Sequence, residues 1–484
     1  GFFSSEVFCL RSRSDDDQPT SEEKKPVARQ LPSPAAPPTH AMGKGGERPA
    51  PLVLPAESKE LLSGPSYAAT KLAAEDAWID RVDLDAFQRE CAAIGKELAA
   101  SQGPADVAHL RKIIWWSRAC QWAGLGLALA ASRLTSFTAL WAAAVPAAVF
   151  CLSLGTLTRW TIVGHHVCHG GFDKCSKQQY SRFRFGVGSL YRRAVDWLDW
   201  MLVEAWNVEH NQLHHYHLGE IHDPDLVEFN MEYLRGLEAP KAVKYVAVFL
   251  IACTWKWWYY APNTYKRLRV NERRKKGLPE LEDTHRPQTF DFAWLVGSGD
   301  ATFFKGYDFL MESLAPYFVQ RFVVLPLPFL WLGGYATVLA CLVGAEVLTN
   351  MHAFLVIATN HAGDDLYRFE RHCKPRSGTF YLRQVISSAN FATGSDLNDF
   401  LHGWLNYQIE HHLWPDLSML SYQKAQPLIE ALCAKHGIPY VQENVFWRLK
   451  KLVDIMVGDA TMRKFPTKFE YAADLGADDL AGSD

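Results

Sequence analysis

The chain has 484 residues and a formal net charge of −3, so no global positive field marks it for nucleic acid. Its 10 cysteines include no CxxC pair and no regular spacing, which excludes a disulfide framework and a thiolate zinc site. Hydrophobic residues make up 48%, and the 17 Trp, 18 Tyr and 27 Phe suit a protein that meets membrane interfaces.

Residues 1–76 are rich in Pro, Ser, Ala and charge, as in SDDDQPTSEEKKP and QLPSPAAPP. Such a stretch buries too little apolar surface to offset its ordering entropy, and it is expected to be disordered, with room for a targeting segment. Residues 77–445 are expected to form the main domain. Residues 446–484 read as an extension that closes on the acidic tail YAADLGADDLAGSD.

From Asp83 to about Arg111 the spacing of apolar residues predicts an amphipathic helix. Apolar runs follow. Ala119–Ala131 is short, but it extends back over Ile113–Trp116 if Arg118 snorkels. Leu134–Thr158 has no charge and reaches the roughly 20 residues a spanning helix needs. These two read as a helical hairpin in a bilayer. The plainer alternative is a pair of buried helices in a soluble domain, and the uncharged length and flanking Trp residues weigh against it.

A second apolar region covers Phe322–Gly344 and Val347–Thr359, and between the two regions lies Val243–Tyr260. If the histidine clusters described next are to meet, an even number of crossings separates His215 from Gln408. One of the three intervening runs then does not cross. Val243–Tyr260 is the choice, with Lys256 inside it and KRLRVNERRKK after it. Seven bases and one acid in that stretch belong on the cytosolic or stromal side, with WKWWYY in the interface. The expected fold is an all-α integral membrane protein. It has about four transmembrane helices in two hairpins, and a cytosolic or stromal helical cap carries the histidines.

Of 18 histidines, eight fall between His165 and His222. In GHHVCHGG, His165 and His169 are four apart and share a helix face. In EHNQLHHYHLGEIHDPD, His210 and His214 repeat that spacing, with His215 adjacent. In QIEHHLWP, Gln408, His411 and His412 sit at i, i+3 and i+4. His361 emerges from the last apolar segment. Any one group is a modest signal, since solvated surface histidines reach such spacings by chance. Three groups, each just outside the bilayer on one side, are much stronger. His165, His169, His210, His214, His215, His361, His411 and His412 are too many ligands for one ion, and Gln408 is a weaker or water-bridged ninth. Two metals with four or five ligands each fit. Imidazole suits Fe, Cu, Ni and Zn alike, and a histidine-rich pair against a membrane points to iron and oxygen chemistry.

HxxxH, then HxxxHH, then QxxHH, with apolar hairpins between them, resembles the membrane fatty acid desaturases over roughly Asp83 to Tyr440. The QIEHH form of the third box is most similar to the front-end and related acyl-lipid members. The first box departs from the usual HDxxH, because position 166 is His. His166 is therefore an outer neighbour or an alternative ligand. Many front-end members carry a fused cytochrome b5 domain with an HPGG motif, and HPGG does not occur in this sequence.

The resemblance implies an oxidoreductase that puts a double bond into a fatty acyl chain, using two non-haem iron ions and O2. The nine residues above would be its metal-binding and catalytic set. Electrons would come from an external ferredoxin or cytochrome b5. The substrate would be a membrane lipid or other fatty acyl group in an apolar tunnel, in endoplasmic reticulum or plastid membrane. No nucleic acid and no particular oligomer is implied. Asp223, Asp225, Glu410, Asp364 and Asp399 are candidates to orient the ligands, with Asn360, Asn406 and Trp206 weaker. His217, His222, His352 and His402 read as structural or surface residues. Two other readings compete. A similar site serves a membrane hydroxylase or ketolase acting on an acyl, sphingoid or carotenoid substrate, and Gln408 favours desaturation. A metal-transporting membrane protein would place its ligands within the bilayer, whereas these boxes lie just outside it.

Overall fold

The computed structural model describes residues 73–470, apart from 197–198, 280, 282–283, 285, 289–292 and 294–299. The region 1–72 and the acidic tail 471–484, whose disorder is a sequence expectation, lie outside the described residues. Ala74–Asp76, at the end of the expected N-terminal region, form a 3-10 turn.

The described residues are mostly helical, and their strands are two-residue pairs, such as Tyr367–Arg368 beside Arg463–Lys464. Asp83 starts helix α1 (Leu84–Ser101) by accepting a hydrogen bond from the Ala86 amide at 2.9 Å. Helix α2 (Pro104–Ala131) carries polar residues in its first turns and apolar ones in its last. It doubles back through a short loop into α3 (Ala139–Leu157), which runs on through a π-helical stretch, Thr158–Gly164, to His165–Cys168. The two helices pack closely because small residues line the seam. A Cβ added at Gly124 would lie 2.6 Å from the Leu152 side chain. The Ser117 hydroxyl donates to the Gly155 carbonyl across the same seam.

Among the described residues, three helices are long and apolar enough to cross a membrane: Ala139–Cys168, Gly306–Leu332 (α7) and Tyr335–Asn360, which contains α8 (Tyr335–Ile357). The first expected crossing, Ala119–Ala131, is not among them. It is the apolar end of α2, packed along α3 and also touching α8. The second apolar region divides differently from expectation. Its break falls at Gly333–Gly334, with φ of +61° and +141°, backbone that suits glycine. Gly344 lies inside α8, where its missing side chain admits Val149 of α3. The uncharged run gave no hydropathy mark of the true turn, so the chain's positive-φ residues set it. The two hairpins, α2–α3 and α7–α8, share an apolar core that includes Leu125, Leu152, Phe329 and Leu342. Outward-facing Leu140, Phe150, Val324, Leu330 and Trp331 are exposed, as a lipid-facing belt would be.

Val243–Tyr260 falls in α5 (Lys241–Trp255) and a π-helical turn, Lys256–Tyr260, which continues as α6 (Ala261–Lys275). Lys256 does not reach outward as an interfacial lysine would. Its side chain is fully buried, 3.4 Å from Glu346 of α8 and 3.6 Å from Asp199. Arg321 and Tyr317 of α7 also bind Glu346. A buried charge stripped of its partner is strongly destabilising. Glu346→Ala is expected to cost about 3–5 kcal/mol, read as a lower unfolding midpoint in detergent. An unchanged midpoint would mean that water reaches Lys256.

Most of the other described helices form a cap around the histidine-bearing ends of α3 and α8. The cap includes α4 (Val203–Trp206, continued by a π-helical run over Asn207–His214), α9 (Gly378–Ile386), α10 (Gln408–Leu413), α11 (Met419–His436) and α12 (Val445–Val457). Helix α6 packs on α4 and its π-helical run, α11 on α1, and α9 on α10.

Candidate metal centre

The first histidine pair ends the longest apolar helix. The π-helical stretch Thr158–Gly164 leads into His165 and His169, whose rings are tilted against each other with centroids 4.8 Å apart. His166 points away from them. Its Nδ1 donates to the Ile162 carbonyl at 2.7 Å and its ring lies against Tyr422.

The second group rests on a π-helix rather than an α-helix. The amide of His215 donates to the carbonyl of His210, an i to i+5 bond of 3.2 Å. In that wider turn both the fourth and the fifth residue fall beside the first. The His214 and His215 rings therefore lie 5.0 and 4.9 Å from that of His210. This gives the adjacent pair in HxxxHH a geometric reason.

The third group sits on α10. Asn390 Oδ1 accepts from the Ile409 amide at 2.9 Å and fixes where the helix starts. His361 leaves the end of α8 and joins it.

These elements bring all eight sequence-named histidines together, each buried. Donor atoms of His165, His169, His210 and His411 lie within 4.8 Å of one another, and so do those of His214, His361 and His412. His215 lies between the groups, stacked on His412 at 4.3 Å and edge-on to His169 and His411. Gln408 Nε2 lies 2.8 Å from His361 Nε2, and the Gln408 amide oxygen accepts from Asn360 at 3.0 Å.

Four of the histidines are held through Nδ1. His214 Nδ1 meets Asp223 at 2.8 Å and His361 Nδ1 meets the Ser387 carbonyl at 3.2 Å. His411 Nδ1 donates to the Tyr422 hydroxyl at 3.2 Å and His412 Nδ1 to Gln384 at 3.1 Å. Tyr422 can accept because its own proton is directed at the carbonyls of Trp414 and Pro415. A neutral imidazole with Nδ1 protonated carries its lone pair on Nε2. Nε2 of His361 faces Nε2 of His412 at 3.2 Å, and Nε2 of His411 faces that of His165 at 2.9 Å. In the His361–His412 pair both Nδ1 atoms are held by acceptors, so two lone pairs face each other and repel, and a cation between them removes the repulsion. Among the described residues, His210 and His215 have no hydrogen-bond partner for either ring nitrogen, and His169 has none for Nε2. Buried groups in that state are costly, by about 1–3 kcal/mol each, unless they bind something. The donor set fits two nitrogen-ligated metal ions.

Burial is the main cause of depressed basicity here. It holds His169, His210, His215, His411 and His412 well below the usual imidazole range and His361 at about 3. Neutral rings are what metal binding requires. His214 goes the other way. Burial lowers it, but Asp223 and Asp225 together outweigh that and raise it.

A model of the family described as fatty acid desaturase matches residues 139–444. The chain belongs to the fatty acid desaturase family. The family is membrane-bound and generally depends on two irons, and buried histidine clusters and apolar helices are both present here. This desaturase is 24% identical over 391 residues to the NADPH-dependent stearoyl-CoA 9-desaturase of Mycobacterium tuberculosis, covering 77% of this chain and 80% of that one. It is 30% identical over 111 residues, 23% of each chain, to an acyl-lipid (8-3)-desaturase of Physcomitrium patens. Over 139 residues it is 32% identical to fatty acid desaturase 3 of Bos taurus, covering 29% of this chain and 28% of that one. No solved structure matches it.

Of the outer residues named from the desaturase sequence, Asp223 holds His214, and Asp225 lies 3.7 Å from the same nitrogen. Trp206 stacks on His210 at 4.6 Å. Asn360 binds Gln408 rather than a histidine. Glu410 turns to Asn390 and Tyr440, and burial raises its pKa to about 7. Asp399 serves Asn406, Tyr407 and Gln423. Among the described residues Asp364 makes no side-chain hydrogen bond to a centre histidine, and its carbonyl accepts from Arg463. His352 and His402 bind backbone carbonyls of Leu401 and Asn398. Sequence reasoning missed Gln384 and Tyr422. Each reaches its histidine from another helix, and no local motif marks either.

A cavity of about 340 Å³ opens beside the centre. Its walls include Trp160, Ile251, Trp255, Phe354, Leu452 and Met456, and His165, His210, His214, His361 and Gln408 line its polar side. Small-molecule sites commonly measure about 300–1,000 Å³.

Proposed function

We propose that this fatty acid desaturase acts on a lipid-linked acyl chain in the front-end manner, with two irons, O2 and electrons from a separate ferredoxin or cytochrome b5. His165, His169, His210 and His411 hold one iron. His214, His361 and His412 hold the other, with His215 between them and Gln408 beside His361. The observation that carries this reading is the inward pairing of Nε2 atoms at 2.9 and 3.2 Å. When bound, the iron pair supplies O2 activation and removal of hydrogen from an unactivated methylene.

The chain's own residues do the rest. Asp223, Tyr422, Gln384 and the Ser387 carbonyl fix four imidazoles in the tautomer that leaves Nε2 free. The apolar walls exclude water and hold the acyl chain extended past His165, His210 and His214. Helix α6 carries Lys266–Lys275 and packs on the helix of the second histidine group. That packing supports a cytosolic or stromal side for the centre.

Asp223→Asn tests the orienting role. The variant is expected to bind iron about 10–100-fold more weakly, with activity partly restored by added Fe(II). Unchanged iron affinity would remove Asp223 from that role.

The reaction itself is tested by expressing the chain in a yeast and in a cyanobacterium and profiling fatty acids by mass spectrometry. A new acid two mass units below its precursor is expected, and fragmentation places the double bond. A product sixteen units heavier would replace this reading with a hydroxylase.

A further inference from the structure

Outside the buried centre, another set of metal-binding side chains converges. His217 Nδ1 lies 3.0 Å from Glu220 Oε2, and His372 Nδ1 lies 3.2 Å from the same oxygen. The His217 and His372 rings are 4.7 Å apart, and the three donor atoms lie within 4.8 Å of one another. The His217 and His372 side chains are 18% and 20% exposed, so the cluster opens to solvent while Glu220 sits beneath it.

We propose that His217, Glu220 and His372 form a divalent-cation site that takes zinc. Tetrahedral ligands each about 2.0–2.2 Å from a zinc ion lie roughly 3.3–3.6 Å apart, so the two nitrogen–oxygen spacings need to open by only a few tenths of an ångström. Two imidazole nitrogens and one carboxylate oxygen are a zinc donor set, and the exposed side leaves the remaining positions for water. The carboxylate is pre-set. Arg383 donates to Glu220 Oε1 at 2.8 Å and is itself tied to the Arg371 carbonyl. That leaves Oε2 aimed between the histidines. The segment is closed by backbone bonds from Glu220 to His217 and from Asp223 to Glu220. The cation therefore binds on the same turn that presents Asp223 to His214. The site does not depend on which metal fills the buried centre.

The test uses the full chain, purified without a histidine tag and with its iron content measured beforehand. Zinc is titrated by calorimetry, and bound metals are counted after gel filtration. Wild type is expected to bind one more zinc than His372→Ala or Glu220→Gln, with iron unchanged. Any zinc those variants retain there should bind roughly tenfold or more weakly. Cobalt added to iron-loaded wild type should give visible bands that zinc abolishes, a readout that needs no variant. Equal zinc stoichiometry and affinity in wild type and both variants would overturn the site. So would zinc uptake that only displaces iron.

Discussion

His411→Ala is expected to abolish desaturation and to leave the protein short of iron. His411 Nε2 faces His165 Nε2 at 2.9 Å, and its ring also lies 4.6 Å from His169 and 4.8 Å from His215. His411 belongs to the first donor group and meets His215, which lies between the two groups. Loss of an outer partner commonly costs 10–100-fold, so loss of this donor should cost more than about 100-fold in product formed. His402→Ala is the control. That ring binds the Asn398 carbonyl and lies outside both donor groups. It should keep activity near wild type, measured as the ratio of unsaturated product to precursor. Comparable activity in the two variants would remove His411 from the chemistry.

Acid is expected to strip iron from the centre as the pH falls from about 6.5 towards 3. Six histidines outside the spanning helices, His169, His210, His215, His361, His411 and His412, are depressed by burial, His361 to about 3. The folded protein thus binds fewer protons at these sites than the unfolded chain, whose imidazoles titrate near 6.5. Their contribution to stability is complete above that value and is lost as the pH falls below it. Protons also compete directly with iron for the same nitrogens, with the same sign. His214 opposes this, because its raised pKa favours the folded state below its ordinary value. Glu410, raised to about 7, and Asp225, raised to about 6, oppose it as well. Unfolding therefore mixes signs, and retained iron after brief acid exposure is the cleaner readout. A flat iron content down to about pH 3 would contradict neutral imidazole ligation.

Much of the centre was legible from spacing alone. HxxxH, HxxxHH and QxxHH named seven of the eight histidines that converge, because a helical turn dictates which residues share a face, and His361 was named from its place at the end of the last apolar segment. The type of helix was not legible. The π-helical run Asn207–His214 is what lets His214 and His215 both approach His210, and no residue in it signals the wider turn. Asp223 could be picked out because it lies nine residues from His214. Gln384 and Tyr422 could not, since α9 and α11 meet the centre only in the folded chain. Hydropathy found the apolar regions but misplaced the second turn, because charge-free sequence continues through Gly333 and Gly334. The burial of Lys256 was also hidden. Its partners, Asp199 and Glu346, are far away in sequence, and a lone lysine in an apolar run looks interfacial.

The most direct test of the iron reading is metal content of the purified full chain, with Mössbauer spectroscopy on 57Fe-enriched protein. Two irons per chain in a coupled pair are expected, with the pair absent in His411→Ala. No iron, or a single mononuclear iron per chain in active protein, would contradict it.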